Sequence, residues 1–263
     1  MRPPILKVAM LTPANHLRRP LTLLLVSLFC ILALHINASL AAGDLLPQGI
    51  ARAPSDDLNQ IGYRHGWIER VGEMAKEAIQ ADEPYLAQRL WTAMAQEGVA
   101  EGAYHLAMLY DSGNGIAHDS VRAAYWYRRA AEAGHLHAQH NLAVAYANGD
   151  GVEMDFNKAL AWWTLAASSG NADSQYNLGI VYATGVHGVA KNLKMAKKWW
   201  RMAAMKGDPM AQYNLGTIYA SEGQVSSYCE AMHWWQKSAE KGIQQANWAL
   251  EMIKSRHDYR ACR

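Results

Sequence analysis

The stretch SQYNLGIVYATG at residues 174–185 returns as AQYNLGTIYASEG at residues 211–223. In the first copy Ser174, Leu178 and Tyr182 are four residues apart, which is the spacing of side chains on one stripe of a helix. Glycine ends each copy, and glycine suits a helix C-terminus because left-handed backbone dihedrals cost it no Cβ clash. The stretch therefore predicts a helix that is copied along the chain.

Other residues recur in the same register, with steps of 35 to 37 residues. This reuse accounts in part for the 10 tryptophans and 13 tyrosines against 2 phenylalanines. The register extends to Trp91 before the clear copies and to Trp248 after them. The recurring columns are Trp126, Trp162, Trp199 and Trp234; Leu106, Leu142, Leu178 and Leu215; Tyr110, Tyr146, Tyr182 and Tyr219; and Gly134, Gly170, Gly207 and Gly242.

Each period predicts two antiparallel helices. A glycine-containing link follows the first helix, and Asp119, Asp155 and Asn192 stand where the second helix would have its N-cap. Neither helix can bury its apolar stripe alone, so neighbouring pairs must stack, and the predicted fold is an all-α, right-handed α-α superhelix. Small residues should mark the close approach of helices, with the tryptophan column opposite them. These residues are Ala107, Ala143, Gly179 and Gly216.

The repeat resembles the Sel-like repeats, a tetratricopeptide-related class. The resemblance is carried by QYNLGIVY at residues 175–182, AQYNLGTIY at 211–219, GDGV at 149–152 and WW at 162–163. It covers roughly residues 85–256 and implies a solenoid scaffold that binds other proteins. The expected layout is capping helices over residues 61–100, four repeats over 101–242, and a capping helix with a tail over 243–263.

The first 41 residues predict export. They carry basic residues but no acid, and an apolar run of 14 residues at 21–34 precedes a small-residue stretch. This is the layout of a secretory signal peptide cleaved after Ala41. An uncleaved anchor and translation from Met10 are the alternatives. Residues 42–60 would form a flexible lead-in to a periplasmic or secreted body without a stable membrane span.

Cleavage would remove Cys30 and leave Cys229 and Cys262 in an oxidising compartment. The closing helix should run antiparallel to the helix that begins near Cys229, so the tail would return towards that residue. A disulfide between Cys229 and Cys262 is the prediction, and two separate thiols are the alternative.

Composition and motifs limit the function classes. Beyond residue 41 the chain has 21 basic and 23 acidic residues, which argues against a general nucleic-acid binder. The sequence has no nucleophile elbow, phosphate loop or zinc-protease motif, so no enzyme and no cofactor are expected. A hydrolase related to cysteine-rich Sel-like proteins is the least favoured function, because this chain lacks their cysteine pair in every unit.

The predicted binding surface is the concave side, which the first helix of each pair lines with a stripe displaced from the core stripe. Tyrosines on a groove suit recognition of a protein or peptide of the cell envelope, although the same rings can serve the packing of the repeat itself. The oligomeric state stays open. The candidate residues are Tyr104, His137, His140, Asp173, Tyr176, Ile180, Met210 and Tyr213.

Two other clusters are explained without a special site. His135, His137 and His140 could hold zinc or copper, but no carboxylate or thiol nearby in the sequence completes a ligand set. Groove-lining histidines are the preferred interpretation. The lysines and arginine between residues 191 and 206 predict a solvated outer face, or else a site for a small ligand, an anionic polymer or a lipid headgroup.

Overall fold

The computed structural model describes residues 61–254 of the 263-residue chain. The predicted signal peptide at 1–41, the lead-in at 42–60 and the tail with Cys262 lie outside the described residues. Within residues 61–254 the chain forms helices and no strand, which confirms the all-α prediction. The helices are α1 (Ile61–Gln80), α2 (Pro84–Gln96), α3 (Ala100–Ser112), α4 (Ser120–Glu132), α5 (Leu136–Asn148), α6 (Phe156–Ser168), α7 (Ala172–Thr184), α8 (Leu193–Met205), α9 (Pro209–Ser221), α10 (Val225–Glu240) and α11 (Gln244–Lys254).

The helices stack as pairs into a solenoid. Each helix packs against the next one along the chain, and α7 also contacts α9. The first helices of the four pairs are α3, α5, α7 and α9, and the second helices are α4, α6, α8 and α10. A stack of this kind buries on each helix a stripe that no single pair could hide from water.

The predicted caps of the second helices are confirmed. The side chains of Asp119, Asp155 and Asn192 accept hydrogen bonds from backbone amides three residues on, at 2.8, 3.1 and 3.0 Å. Each bond satisfies one of the helix's unpaired amide groups. The links before them begin with glycine in the left-handed region, as at Gly149 with φ of 79°. The fourth link differs, because α10 begins after Gln224 without a side-chain cap.

A buried leucine holds each first helix in the stack, and a buried glutamine adds to it in α5, α7 and α9. The leucine column is almost completely removed from solvent, with Leu142, Leu178 and Leu215 at 0% exposure. The glutamine amide of Gln175 donates to the carbonyl of Ala167 on the preceding second helix at 2.9 Å. Gln139 and Gln212 do the same at the neighbouring junctions. The glutamines therefore tie the second, third and fourth pairs each to the pair before it.

The aromatic residues are arranged differently from the prediction. The column that the small residues face is the second aromatic of each pair, not the tryptophan column itself. A Cβ on Gly179 would lie 2.2 Å from the ring of Trp200, whose Nε1 donates to the carbonyl of Tyr176 at 3.1 Å. Gly216 and Trp235 form the same arrangement. The ring can reach the backbone because glycine leaves the space open.

The predicted tryptophan column is only partly buried. Trp199 and Trp234 are 6% and 8% exposed, whereas Trp126 and Trp162 are half-buried. The second aromatics are buried in all four pairs; they are Tyr127, Trp163, Trp200 and Trp235. Adjacent residues on a helix point about 100° apart, so one of them faces the partner helix and the other lies towards the edge of the interface.

Candidate interaction face

The four predicted rings lie at one position on successive first helices. Tyr104, His140, Tyr176 and Tyr213 are all half-buried, and the three tyrosines pack against the core. Each ring therefore supports the stack and also presents an edge to solvent. We call the surface made by these rings and the positions beside them the first-helix face. The flanking residues are Glu101, Met108, His137, Val144, Asp173, Ile180, Met210 and Thr217.

The rings of the first two repeats are joined by a carboxylate. Tyr104 stacks on His135 with centroids 4.2 Å apart. Nε2 of His135 lies 3.0 Å from one oxygen of Glu101, and Nε2 of His105 lies 2.9 Å from the other. His105 in turn stacks on Trp91 at 5.0 Å. Glu101 thus holds two imidazoles, one from α3 and one from the N-cap of α5.

His135 also caps α5, which fixes its tautomer. Its Nδ1 accepts from the amide of Ala138 at 3.1 Å, so the ring proton sits on Nε2 and is donated to Glu101. Burial lowers the pKa of His135 despite the nearby charge of Glu101. Burial opposes ionisation of Glu101, but the hydrogen bonds of His105 and His135 outweigh it and hold its pKa below the usual range. The pair is therefore a neutral imidazole beside a carboxylate.

The three histidines of the predicted cluster have different surroundings. Besides His135, Nδ1 of His140 lies 2.9 Å from the hydroxyl of buried Ser174, and His137 is exposed on the face. Burial lowers the pKa of His140. The stack brings a carboxylate that is distant in the sequence, Glu101 of α3, to His135. Across residues 61–254 no group of three or more His, Cys, Asp or Glu side chains is arranged to hold a metal ion.

Two further carboxylates belong to α7 and to the N-cap of α9. Asp173 is exposed and occupies the position of Glu101 and His137 in the repeat. Asp208 caps α9 by accepting from the amide of Ala211 at 2.5 Å, and burial raises its pKa. Burial and the charge of Asp208 together raise the pKa of Tyr176. Ile180, Met210 and Tyr213 lie beside these groups as half-buried side chains.

The basic segment is divided between packing and solvent. Lys194, Lys198 and Arg201 are exposed on α8. Lys197 pairs with Glu222 and lies over a tyrosine ring, so it closes the link instead of facing solvent. Lys206 donates to the carbonyl of Gly170, and Lys241 donates to that of Gly207 at 2.6 Å. Some of the predicted basic patch thus serves contacts between repeats.

One small cavity lies between α3, α4 and α5. Its volume is about 120 Å³, and its lining includes Asp111, Tyr127 and Asn141. Tyr127 donates to Asp111 at 3.0 Å across it. Pockets for drug-sized ligands usually have roughly 300–1,000 Å³. This cavity is the size of a few water molecules.

A family model named Sel1 repeat matches residues 100–135, 136–171, 172–208 and 209–243, which is more than half of the chain. The chain belongs to the Sel1 repeat family. Each matched Sel1 repeat contains one first helix, the link that follows it and the second helix of the same pair. The resemblance to Sel-like repeats is therefore confirmed, and with it a scaffold-type fold for protein interaction.

Solved Sel1 structures resemble this chain over most of its length. The protective antigen c5321 of uropathogenic Escherichia coli, which has an SLR fold, matches with a TM-score of 0.65 and 29% identity. The match covers 73% of this chain but only 42% of the antigen. A Sel1 repeat protein from Oxalobacter formigenes matches with a TM-score of 0.61 and 26% identity, covering 73% of this chain and 78% of that one. No curated protein matches the sequence.

Two predictions about this Sel1 repeat protein stay untested. Cys229 is half-buried near the start of α10, but Cys262 lies outside the described residues, so their pairing stays a prediction. The assignment of partner contacts to the first-helix face also stays a prediction.

Within the described part of the chain, none of the helices has the length and apolarity that crossing a bilayer requires.

Proposed function

We propose that this Sel1 repeat protein is an exported, non-enzymatic scaffold that binds a protein or peptide of the bacterial envelope through its first-helix face. Export is supported by the sequence of residues 1–41, with its basic front, apolar run and small-residue stretch. The expected place is the periplasm, or the exterior after secretion. The disulfide between Cys229 and Cys262 belongs to the same proposal, since it needs an oxidising compartment.

The main support for this binding site is the row of half-buried rings on the first-helix face. Although these rings also pack against the core, they are only half-buried, so the solvent-facing edges of Tyr104, Tyr176 and Tyr213 remain available for contact. Tyrosine supplies a large contact area with a polar tip at little cost in side-chain freedom, and it is enriched at binding hot spots. The exposed flanking positions differ between repeats and suit the role of selecting the partner.

Affinity capture from envelope extract tests the proposal. The full chain is compared with Tyr176→Ala/Tyr213→Ala, and capture of a specific protein should fall in the variant. Because both rings are half-buried, circular dichroism must show that the variant is folded. Met108→Arg supplies a second variant on the face at a residue that is 41% exposed.

Tyr125→Ala is the control, because it removes a tyrosine that is 49% exposed, more than those of the face, from second helix α4. Capture should be unchanged by this substitution. If both face variants capture the protein as well as the parent does, the first-helix face is not the contact surface.

A second candidate function uses the exposed cations of α8. Lys194, Lys198 and Arg201 form a local positive surface that suits an anionic polymer or lipid headgroup. Binding of that kind should weaken steeply between low and physiological salt. Lys194→Glu/Lys198→Glu distinguishes the two functions, because this variant should lose an anionic ligand and keep a partner that is bound at the first-helix face.

A further inference from the structure

The charges of the four Sel1 repeats are divided between the two helices of each pair. The first helices contain no lysine or arginine; their acids are Glu101, Asp111 and Asp173. The second helices are cationic in sum, although α10 alone has two acids and one lysine. Their acids are Glu132, Glu230 and Glu240, and their cations are Arg122, Arg128, Arg129, Lys158, Lys194, Lys197, Lys198, Arg201 and Lys237.

The acids of the first-helix face lie beside its rings. Glu101 contacts the imidazole of His135 on which Tyr104 stacks. Burial raises the pKa of Tyr104, and the charges of both Glu101 and Asp173 raise it further, so both carboxylates lie within electrostatic reach of this phenol. The face therefore combines aromatic rings with carboxylates on the first and third repeats.

Elsewhere in this chain, the combination of a tyrosine and a carboxylate holds a cation. The guanidinium of Arg122 lies 4.4 Å from the ring centroid of Tyr110, and its Nε is 2.6 Å from Asp119. The next repeat has the same trio: Lys158 lies 5.3 Å from the ring of Tyr146 and 3.1 Å from Asp155. A third trio is formed by Lys197, Tyr219 and Glu222. Ring and carboxylate attract the cation together, because both present negative potential.

On the first-helix face the ring and the carboxylate are present, but the first helices supply no lysine or arginine. Of the cations around this face, Lys206 and Lys241 donate to the carbonyls of Gly170 and Gly207, and Lys76 of α1, which lies within electrostatic reach of Glu101, pairs with Glu73 at 2.8 Å. We propose that the first-helix face binds a basic segment of a partner protein, whose lysine or arginine side chains lie over the tyrosines and pair with Glu101 and Asp173. This inference rests on the proposed function and adds the chemistry of the partner.

Fluorescence anisotropy with the full chain tests the inference. The probes are a labelled peptide of alternating arginine and serine and a labelled peptide of alternating glutamate and serine. We expect the arginine peptide to bind more tightly than the glutamate peptide. Asp173→Lys should weaken its binding about fivefold, because attraction between exposed charges is replaced by repulsion. Asp173→Asn should weaken it less.

Glu240→Lys is the matched control, since it makes the same charge reversal at an exposed position on second helix α10. The arginine peptide should bind this variant as it binds the parent. Equal weakening by Asp173→Lys and Glu240→Lys overturns the inference, because only net charge would then matter. Preferential binding of the glutamate peptide, or no binding of the arginine peptide, also overturns it.

Self-association is a further outcome, because the cationic second helices of another copy could occupy the face. Sedimentation velocity tests this outcome. If the parent is a dimer and Asp173→Lys is a monomer, the face binds a second copy, and the proposal of a partner protein is overturned. The capture experiment separates this inference from the proposed function. If Tyr176→Ala/Tyr213→Ala abolishes capture while Asp173→Lys and Glu101→Lys do not change it, the binding face stands and the basic partner is wrong.

Discussion

The close contact of Gly179 with Trp200 predicts that a single added methyl group destabilises the Sel1 array. In Gly179→Ala the new Cβ would lie 2.2 Å from the indole ring, so the ring must move. Movement removes the 3.1 Å hydrogen bond from Trp200 Nε1 to the carbonyl of Tyr176. The lost bond costs about 1 kcal/mol and the displaced buried ring about 2 kcal/mol.

Alanine forms helix better than glycine does, which offsets about 1 kcal/mol of that loss. We therefore expect Gly179→Ala to lower the free energy of unfolding by about 2 kcal/mol. The assay is urea denaturation followed by circular dichroism and tryptophan fluorescence.

Gly66→Ala is the matched control for this measurement. Gly66 lies in α1 and has no atom within 4 Å of an added Cβ, so the substitution should raise the free energy of unfolding by up to about 1 kcal/mol. A further variant, Gly179→Ala/Trp200→Leu, should lose less than the sum of its two single changes because the smaller side chain leaves room for the methyl group. If Gly179→Ala is as stable as Gly66→Ala, the packing of Trp200 on the glycine is not what holds these helices together.

Three other experiments have expected outcomes. Burial lowers the pKa of His140 despite the charge of Asp173, so the folded protein binds the imidazole proton more weakly than the unfolded chain does. The protein should therefore lose stability as pH falls below about 6.5. His140→Tyr should reduce the fall in Tm between neutral and mildly acidic pH, and an unchanged fall contradicts this reasoning. Asn192→Ala should lower the free energy of unfolding by about 1 kcal/mol through loss of the α8 cap, whereas Asn192→Asp should retain it in the same denaturation assay. Thiol titration of exported, denatured protein should find neither Cys229 nor Cys262 reactive before reduction, and two reactive thiols would disprove the disulfide.

The features that repeat with fixed spacing could be predicted from the sequence. The cap residues Asp155 and Asn192 and the glycine links were predicted correctly, because local backbone geometry determines which side chains suit these positions. Gln175 and Gln212 also recur in register, and they turned out to be buried ties between pairs. Their spacing was visible, but glutamine is usually exposed, so residue type alone did not indicate burial.

Contacts between repeats could not be predicted in the same way. Glu101 and His135 are 34 residues apart and meet only because α3 and α5 lie side by side in the stack. Which of two adjacent aromatics faces the glycine also depends on the rotation of the second helix about its axis, and a repeat of residue types does not determine that rotation. The partner-binding role of Tyr104 and Asp173 depends on a molecule outside this chain.

Photocrosslinking in the living cell locates the contact surface most directly. Benzoylphenylalanine is placed at position 108, on the first-helix face, or at position 205, an exposed methionine on second helix α8. The proposed function predicts a specific crosslinked protein from position 108 that is absent from position 205. A crosslink from position 205 alone would contradict it and would assign partner binding to the second helices.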